Sequence, residues 1–544
     1  MGLAQVMIDN PILVKHCRAR LRVGQALSWA LIVLVLTACI VWAGEYYHWI
    51  GNESAVALIL GGQILLLWYG GSHQLNASLG GVRETGLIDF HRVSPLPPSV
   101  VTLGFFLGAP IREYFLAAIT LPFAYFSASH VDGADPWRGL FWLAQLEVAV
   151  LTTTWIVHAL TMLGCMTRKK PRGSIQGTIV TIIGMIFFGY MGSIGFYFGT
   201  RWLLEESRML NFFGFMIPWL AWVLIVEMPI LGFVGLAVSR KMAAERAHAL
   251  TKPQALACMA SLTTLLIGGL WNLARILPEA SPFEPAHVDV IMIASVYALS
   301  LLAMILAIAI TPDAGEYVKG LRRAARQGRR RMSLWSDSGS NRLALLALCV
   351  LVMVGASTVV HVVGRQRAHE MYIGPAVNGK SYNGDNAMTD EAWLTSRQAL
   401  LSRPIAIGVL TVAYFGLGLQ LFSLRTRSSG LALMTLFLFL AWLVPLLAGA
   451  MLGMARTNQT RGIAIFALSP LPGIALSSGM GKLPGADTIQ LAALAPSITF
   501  AFLFNYLLVI TQRKLDRRLL AAEKPTAKSS DDAPKRSESS LDIA

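Results

Sequence analysis

ALSWALIVLVLTACIVWAG, from Ala26 to Gly44, carries no charged side chain. A helix of about 20 apolar residues crosses the ~30 Å hydrocarbon layer of a bilayer, so this run reads as a membrane span. Stretches of the same kind recur along the 544 residues. The chain is 55% hydrophobic and only 14% charged, against roughly 25% charged in soluble domains. The fold class is therefore an all-α polytopic membrane protein. Twelve spans are expected, near 25–44, 54–76, 104–128, 139–165, 174–199, 210–238, 254–274, 286–311, 343–363, 404–424, 430–454 and 487–510.

Orientation follows from the basic residues, which concentrate in cytoplasmic loops. With the N-terminus inside, 32 of the 45 Lys and Arg fall on the inner side and 12 on the outer. The expected arrangement is N-in, C-in. The net charge of +15 then serves orientation and contact with lipid headgroups, and no nucleic-acid partner is implied. Cys17, Cys39, Cys165, Cys258 and Cys349 lie far apart, with no C-x-x-C pair, so neither a zinc site nor a disulfide framework is indicated.

Two segments lie outside the spans. Residues 1–24 hold DNPILVKHCRARLR, where Asn10 suits a helix cap and Pro11 a first turn. A short interfacial helix is expected there, with Ile12, Leu13, Cys17 and Leu21 toward lipid and Lys15, Arg18, Arg20 and Arg22 toward water. Residues 512–544 are expected to be a disordered cytoplasmic tail.

The inner segment after the second span reads RETGLIDFHRVSPLPPSVVTLG, from Arg83 to Gly104. Gly86 ends the preceding helix and LIDFHRV can form two amphipathic turns. Ser94-Pro95 stops them, because proline excludes the α region from the residue before it. A short helix held beneath the membrane can pass on a push from a soluble partner; an ordinary loop, with Gly and Pro ending helices, accounts for the same residues.

This segment resembles the loop after span two in permeases of ATP-binding-cassette (ABC) transporters of the type-two exporter class. There the run reads E-x-G-T-L-E-x-L-x-x-x-P, with Gly and a basic residue nine positions later. Glu84, Gly86, Asp89, Phe90, Ser94, Pro95 and Gly104 stand at matching spacing, while Leu87 replaces Thr and Phe105 replaces the basic residue. Asn10, Pro11, Leu13, Arg18 and Arg20 are similar to that family's N-terminal interfacial helix. The likeness covers about residues 1–125. It implies a coupling segment at 83–98 that docks on a separate ATPase subunit, which would supply ATP and Mg; this chain would bind no cofactor. It also implies a bacterial inner-membrane location, and leaves open pairing with a second permease copy or a paralogue.

The family unit has six spans, so two halves are expected, 25–240 and 241–511. A second coupling element would fall in the loop 312–342, which offers Glu316, Gly320 and Leu321 but no Ser-Pro stop. Its Arg322, Arg323, Arg326 and Arg329 to Arg331 equally suit a headgroup anchor. Ser469-Pro470-Leu471-Pro472 repeats Ser94-Pro95-Leu96-Pro97, but segment 456–486 falls on the outer side, beyond reach of a cytoplasmic ATPase. It is expected to be re-entrant. The other large outer loop, 364–403, is too small for a ligand-binding domain.

Ionisable groups at membrane depth are costly and face a bundle interior. Arg112, Glu113, Glu147, His158 and Glu227 are the clearest, and Glu147 and His158 share one helix face. They read either as a polar path, with Arg112 neutralising Glu147 or Glu227, or as structural ion pairs. No catalytic constellation and no metal-ligand set emerges, so an enzyme is not indicated. GPAVNGKS, Gly374 to Ser381, matches the phosphate-loop pattern, but no apolar strand precedes it and the loop is too short for a nucleotide-binding core. It is read as a chance match. An ion-gradient transporter or channel and a membrane scaffold remain the alternatives to an ABC permease.

Overall fold

The computed structural model describes residues 10–46, 51–130, 136–167, 209–245, 247–271, 285–329, 332–333, 335–373, 390–426, 430–454, 459–477 and 486–522. Its elements are almost all helical. Ten helices among these residues are long and apolar enough to cross a membrane, or eleven if one bent pair is counted as a single span. The span expected at 174–199, the GPAVNGKS motif and residues 523–544 lie outside the described residues. The chain is a multi-pass, all-α membrane protein.

By density of internal contacts it divides into two units, residues 1–288 with 355–397, and residues 289–354 with 398–544. The first unit opens with α1 (Pro11–Arg20) and α2 (Val23–Tyr46). The second span is built from α3 (Gly51–Ile64), a π-helical turn (Leu65–Gly71) and α4 (Ser72–Glu84). Then come α5 (Leu87–Val93), α6 (Pro98–Gly108), α7 (Ile111–Ser129) and α8 (Pro136–Thr167). A hairpin of β1 (Met209–Phe212) and β2 (Phe215–Pro218) precedes α9 (Trp219–Ala243), and α10 (Lys252–Leu270) follows. Helix α10, expected in the second six-span half, thus groups with the first unit.

The second unit takes in most of α11 (Pro285–Ile310), α12 (Ala314–Arg326), and parts of α13 (Arg342–Ile373) and α14 (Asp390–Arg425). It continues through α15 (Gly430–Leu438), a π turn (Phe439–Leu443) and α16 (Val444–Met454). The pair α17 (Gln459–Ala467) and α18 (Pro470–Ser477) turns at Leu468-Ser469, and α19 (Ala486–Ala522) ends the described chain. Tyr414, Phe437, Phe500 and Phe504 meet edge to face between α14, α15 and α19, and Trp442 Nε1 donates to Tyr414 Oη at 2.6 Å.

Four expectations are corrected. The span expected at 104–128 is not one straight helix: α6 and α7 meet at 49° around Ala109-Pro110, because proline lacks the N–H that would continue the helix. The sixth span starts at Trp219 rather than 210. Phe213 and Gly214 both have positive φ, 51° and 90°, the signature of a tight hairpin turn. The first part of the expected tail is helical: α19 runs on to Ala522, and its Asp516 accepts from Tyr317 Oη at 3.5 Å.

The fourth concerns α1. Asn10 caps it, accepting from Ile12 N at 3.0 Å and Leu13 N at 3.3 Å. But Ile12 does not face lipid. It is buried in a core with Leu75, Leu79, Ile88, Phe105 and Met242, and Asn10 Nδ2 donates to the Val100 carbonyl at 2.8 Å. Helix α1 is thereby seated on α6.

Candidate functional site

The segment resembling a coupling helix folds as a rigid knob. Helix α4 ends at the exposed Glu84, and Gly86 turns the chain with a φ of 72°, a left-handed conformation that glycine adopts without strain. Helix α5 follows. Ser94 ends it in an extended conformation, its Oγ donating to the His91 carbonyl at 2.8 Å, and Pro95 is exposed. Asp89, in the first turn, pairs with Arg92 at 2.6 Å.

One side of α5 faces the protein. Ile88 is 5% exposed and sits in the core beneath, and the His91 ring stands edge-on to Phe105 at 6.1 Å. Arg92 was not singled out in the sequence, yet it fixes the helix. Its Nε donates to the Met242 carbonyl at 3.2 Å and Nη2 to that of Lys241 at 3.3 Å, both at the end of α9. Arg83 donates to the Cys165 carbonyl of α8, and Glu245 lies 3.6 Å from Arg83 and 4.0 Å from Arg92. The knob is thus tied to the ends of the fourth and sixth spans.

Its other side is bare. Leu87, Phe90 and Val93 are 44%, 64% and 83% exposed at intervals of three, which places them along one side of the helix. Burying a side chain of this kind stabilises by about 1.5–3 kcal/mol, so three together form an adhesive surface.

Within the span region the polar residues form two groups. In the first, the π turn brings Gly70 and Gly71 beside α7 and α8. His158 Nε2 lies 2.9 Å from the Leu67 carbonyl and its Nδ1 lies 2.9 Å from Tyr114 Oη. A carbonyl only accepts, so Nε2 carries the proton and Nδ1 of the neutral ring accepts from Tyr114. A Cβ on Gly71 would stand 2.4 Å from His158 Nε2, and one on Gly70 3.1 Å from Glu113 Cγ. The glycines make room for both side chains. Trp68 Nε1 donates to Thr154 Oγ1 at 3.1 Å.

Arg112 does not reach Glu147 or Glu227. Its Nε and Nη2 both donate to Glu113 Oε1, at 3.1 and 2.7 Å, and its guanidinium lies 5.7 Å from the Trp29 ring centroid. Glu113 is 2% exposed, and its Oε2 has no hydrogen-bond partner among the described residues. On the same face of α8 as His158, Glu147 lies against Gln63. Gln63 is itself buried and donates to Thr120 Oγ1 at 2.8 Å.

Glu227 belongs to the second group. Its Oε1 accepts from Thr153 Oγ1 at 2.5 Å and its Oε2 from Thr152. The five expected residues therefore do not converge on one site. Arg112 and Glu113 pair beside His158 around the π turn, Glu147 sits further along α8, and Glu227 faces α9's neighbour through threonines. The Gly-Gly pair at 70–71 was the signal in the sequence for the close packing. Nothing there marked the partners Tyr114 and Gln63.

Comparison with known proteins returns no match to any family model, characterised protein or solved structure. The site's own geometry carries the functional reading.

Proposed function

We propose that this chain is the membrane-spanning permease subunit of an ABC transporter of exporter type, driven by a separate ATPase subunit. It sits in the bacterial inner membrane with both termini in the cytoplasm. ATP and Mg are bound by the partner, whose closure pushes on α5. The observation that carries this reading is the apolar side of α5, exposed on a helix that Arg92 and Ile88 hold fixed. A loop whose Gly and Pro merely ended helices would have no reason to present Leu87, Phe90 and Val93 together. Nor would it be tied to two other spans.

The arrangement gives the push a route. Force on α5 reaches α9 through the two carbonyls that Arg92 grips, and α8 through Arg83. Helix α6 is reached through His91 and Phe105. The test is co-purification of the tagged permease with an ABC ATPase subunit from the same cells, comparing wild type with Phe90→Asp. Loss of the partner without loss of the folded permease supports the reading; equal recovery sinks it.

A second reading rests on a different observation. The buried Glu113, with one oxygen unpaired beside a π turn, would suit a gradient-driven transporter that binds a cation there. Flux through liposomes holding this chain alone, abolished by Glu113→Gln, would favour it over the first.

A further inference from the structure

Where α11 ends and α13 begins, the second unit gathers polar side chains from four spans. Asn341 Nδ2 donates to the Ile310 carbonyl at 3.2 Å and to Thr311 Oγ1 at 3.1 Å. Its backbone N–H donates to Gln420 Oε1 of α14 at 3.1 Å. Nearby, Arg425 Nε donates to Thr511 Oγ1 of α19 at 3.3 Å. Helix α12 joins them, with Tyr317 buried and bonded to Asp516.

Donors lack acceptors in this cluster. Among the described residues, the buried Nε and Nη2 of Arg342 have no hydrogen-bond partner, and neither do Nε2 of Gln420 and Nε2 of Gln512. Nε and Nη2 are the edge of a guanidinium that presents two parallel N–H groups, the geometry that grips a carboxylate or phosphate in two places. Arg112 turns this same edge to Glu113. The titratable neighbours of Arg342 are Tyr317 and Arg513. Burial, and then Asp516, push the Tyr317 phenol up and keep it neutral, while Arg513 repels. Leaving a buried donor unsatisfied costs about 1–3 kcal/mol, more for a charged one, and an unmet group of this kind in a native fold points to an unseen partner.

The surroundings favour an anion. Arg513, Lys514, Arg517 and Arg518 lie on α19, and Lys319, Arg322, Arg323 and Arg326 are exposed on α12, opposite its buried face of Tyr317, Gly320 and Ala324. Arg342 is also the first residue of an apolar span. That puts it at the level of headgroup phosphates and at a helix N-terminus, where backbone N–H groups attract anions.

We propose that this end of the second unit binds a phosphate group in the two-pronged edge of Arg342, with the Gln512 amide as a further donor. The phosphate belongs either to an anionic phospholipid or to a free phosphate in the cytoplasm. The test is thermal unfolding of the purified full-length protein in nonionic detergent. Phosphatidylglycerol, phosphatidylcholine and inorganic phosphate are titrated separately against wild type, Arg342→Gln and Arg342→Lys. Phosphatidylglycerol should protect wild type at about tenfold lower concentration than Arg342→Gln, with Arg342→Lys between, since lysine keeps the charge and loses the fork. Protection by phosphatidylglycerol alone identifies the lipid as the source, and protection by inorganic phosphate identifies the free anion. Equal protection of all three proteins overturns the proposal, as does equal protection by phosphatidylcholine. If Arg322→Gln with Arg323→Gln abolishes protection as fully as Arg342→Gln, binding is diffuse and the proposal also fails. Should Arg342→Gln not fold, Arg342→Lys and Gln512→Leu supply the comparison.

Discussion

Gly104 and Ile12 approach so closely that no larger residue fits between them. A Cβ on Gly104 would stand 2.7 Å from Ile12 Cβ and 2.8 Å from Asn10 Oδ1. Glycine at this place in the resembling motif thus has a job unrelated to any partner: it is the seat of α1. Gly104→Val is expected to lower stability by about 1–3 kcal/mol, as overpacking does. It should also expose the N-terminal helix to proteolysis. Limited digestion with N-terminal fragment analysis reads this out.

The same seat should be sensitive to acid. His16 packs edge-on against Phe105 at 5.4 Å and near Gly108. Burial, then Arg20 and Lys15, lower its pKa from 6.5 to about 4. The unfolded state therefore binds the proton more readily, and stability rises with pH across this window. Docking of α1 should be fully present above pH ~6.5 and weaken progressively as the pH falls toward ~4. His91, whose pKa burial and Lys15 also lower, acts in the same direction. Hydrogen exchange over residues 11–20, compared at neutral and mildly acid pH, checks this. His16→Gln should flatten the dependence.

The π turn and His158 depend on each other. Gly71→Ala drives a methyl group into His158 Nε2 and breaks its bond to the Leu67 carbonyl. A loss of about 1–3 kcal/mol is expected, measured by thermal or denaturant unfolding in detergent. His158→Ala in the Gly71→Ala background should recover part of it, a coupling that a double-mutant cycle detects.

Helix α5 owes its position to Arg92 and not to the exposed ion pair it makes. Arg92→Ala should cost about 1.5–3 kcal/mol per charged hydrogen bond lost to Lys241 and Met242, and speed hydrogen exchange in residues 87–93. Asp89→Asn should change stability by less than about 1 kcal/mol, because Asp89 is largely exposed. Similar effects from the two substitutions would contradict this division.

Long apolar runs made the spans legible, because hydrocarbon leaves few alternatives to a helix. The knob was legible too, since Gly86 and Ser94-Pro95 punctuate it by local backbone rules. What the sequence hid is tertiary. Phe213-Gly214 sits in an apolar stretch, so its hairpin turn looked like span. The sequence left Arg112 open between a polar path with Glu147 or Glu227 and a structural ion pair, and only the folded helix shows it bonded to the adjacent Glu113. Ile12 looked lipid-facing because a helical wheel cannot reveal that Gly104 offers a protein groove.

The central claim is that α5 meets a separate ATPase through its bare apolar side. The most direct measurement is disulfide or bifunctional crosslinking from Phe90→Cys, in a version of the chain with its five native cysteines replaced. It is performed in native membranes with the ATPase subunit present. The account predicts a single crosslinked species containing the ATPase, absent when the cysteine is placed instead at the buried Ile88. Crosslinks to lipid-facing segments of this chain alone, with no ATPase captured from position 90, would contradict it.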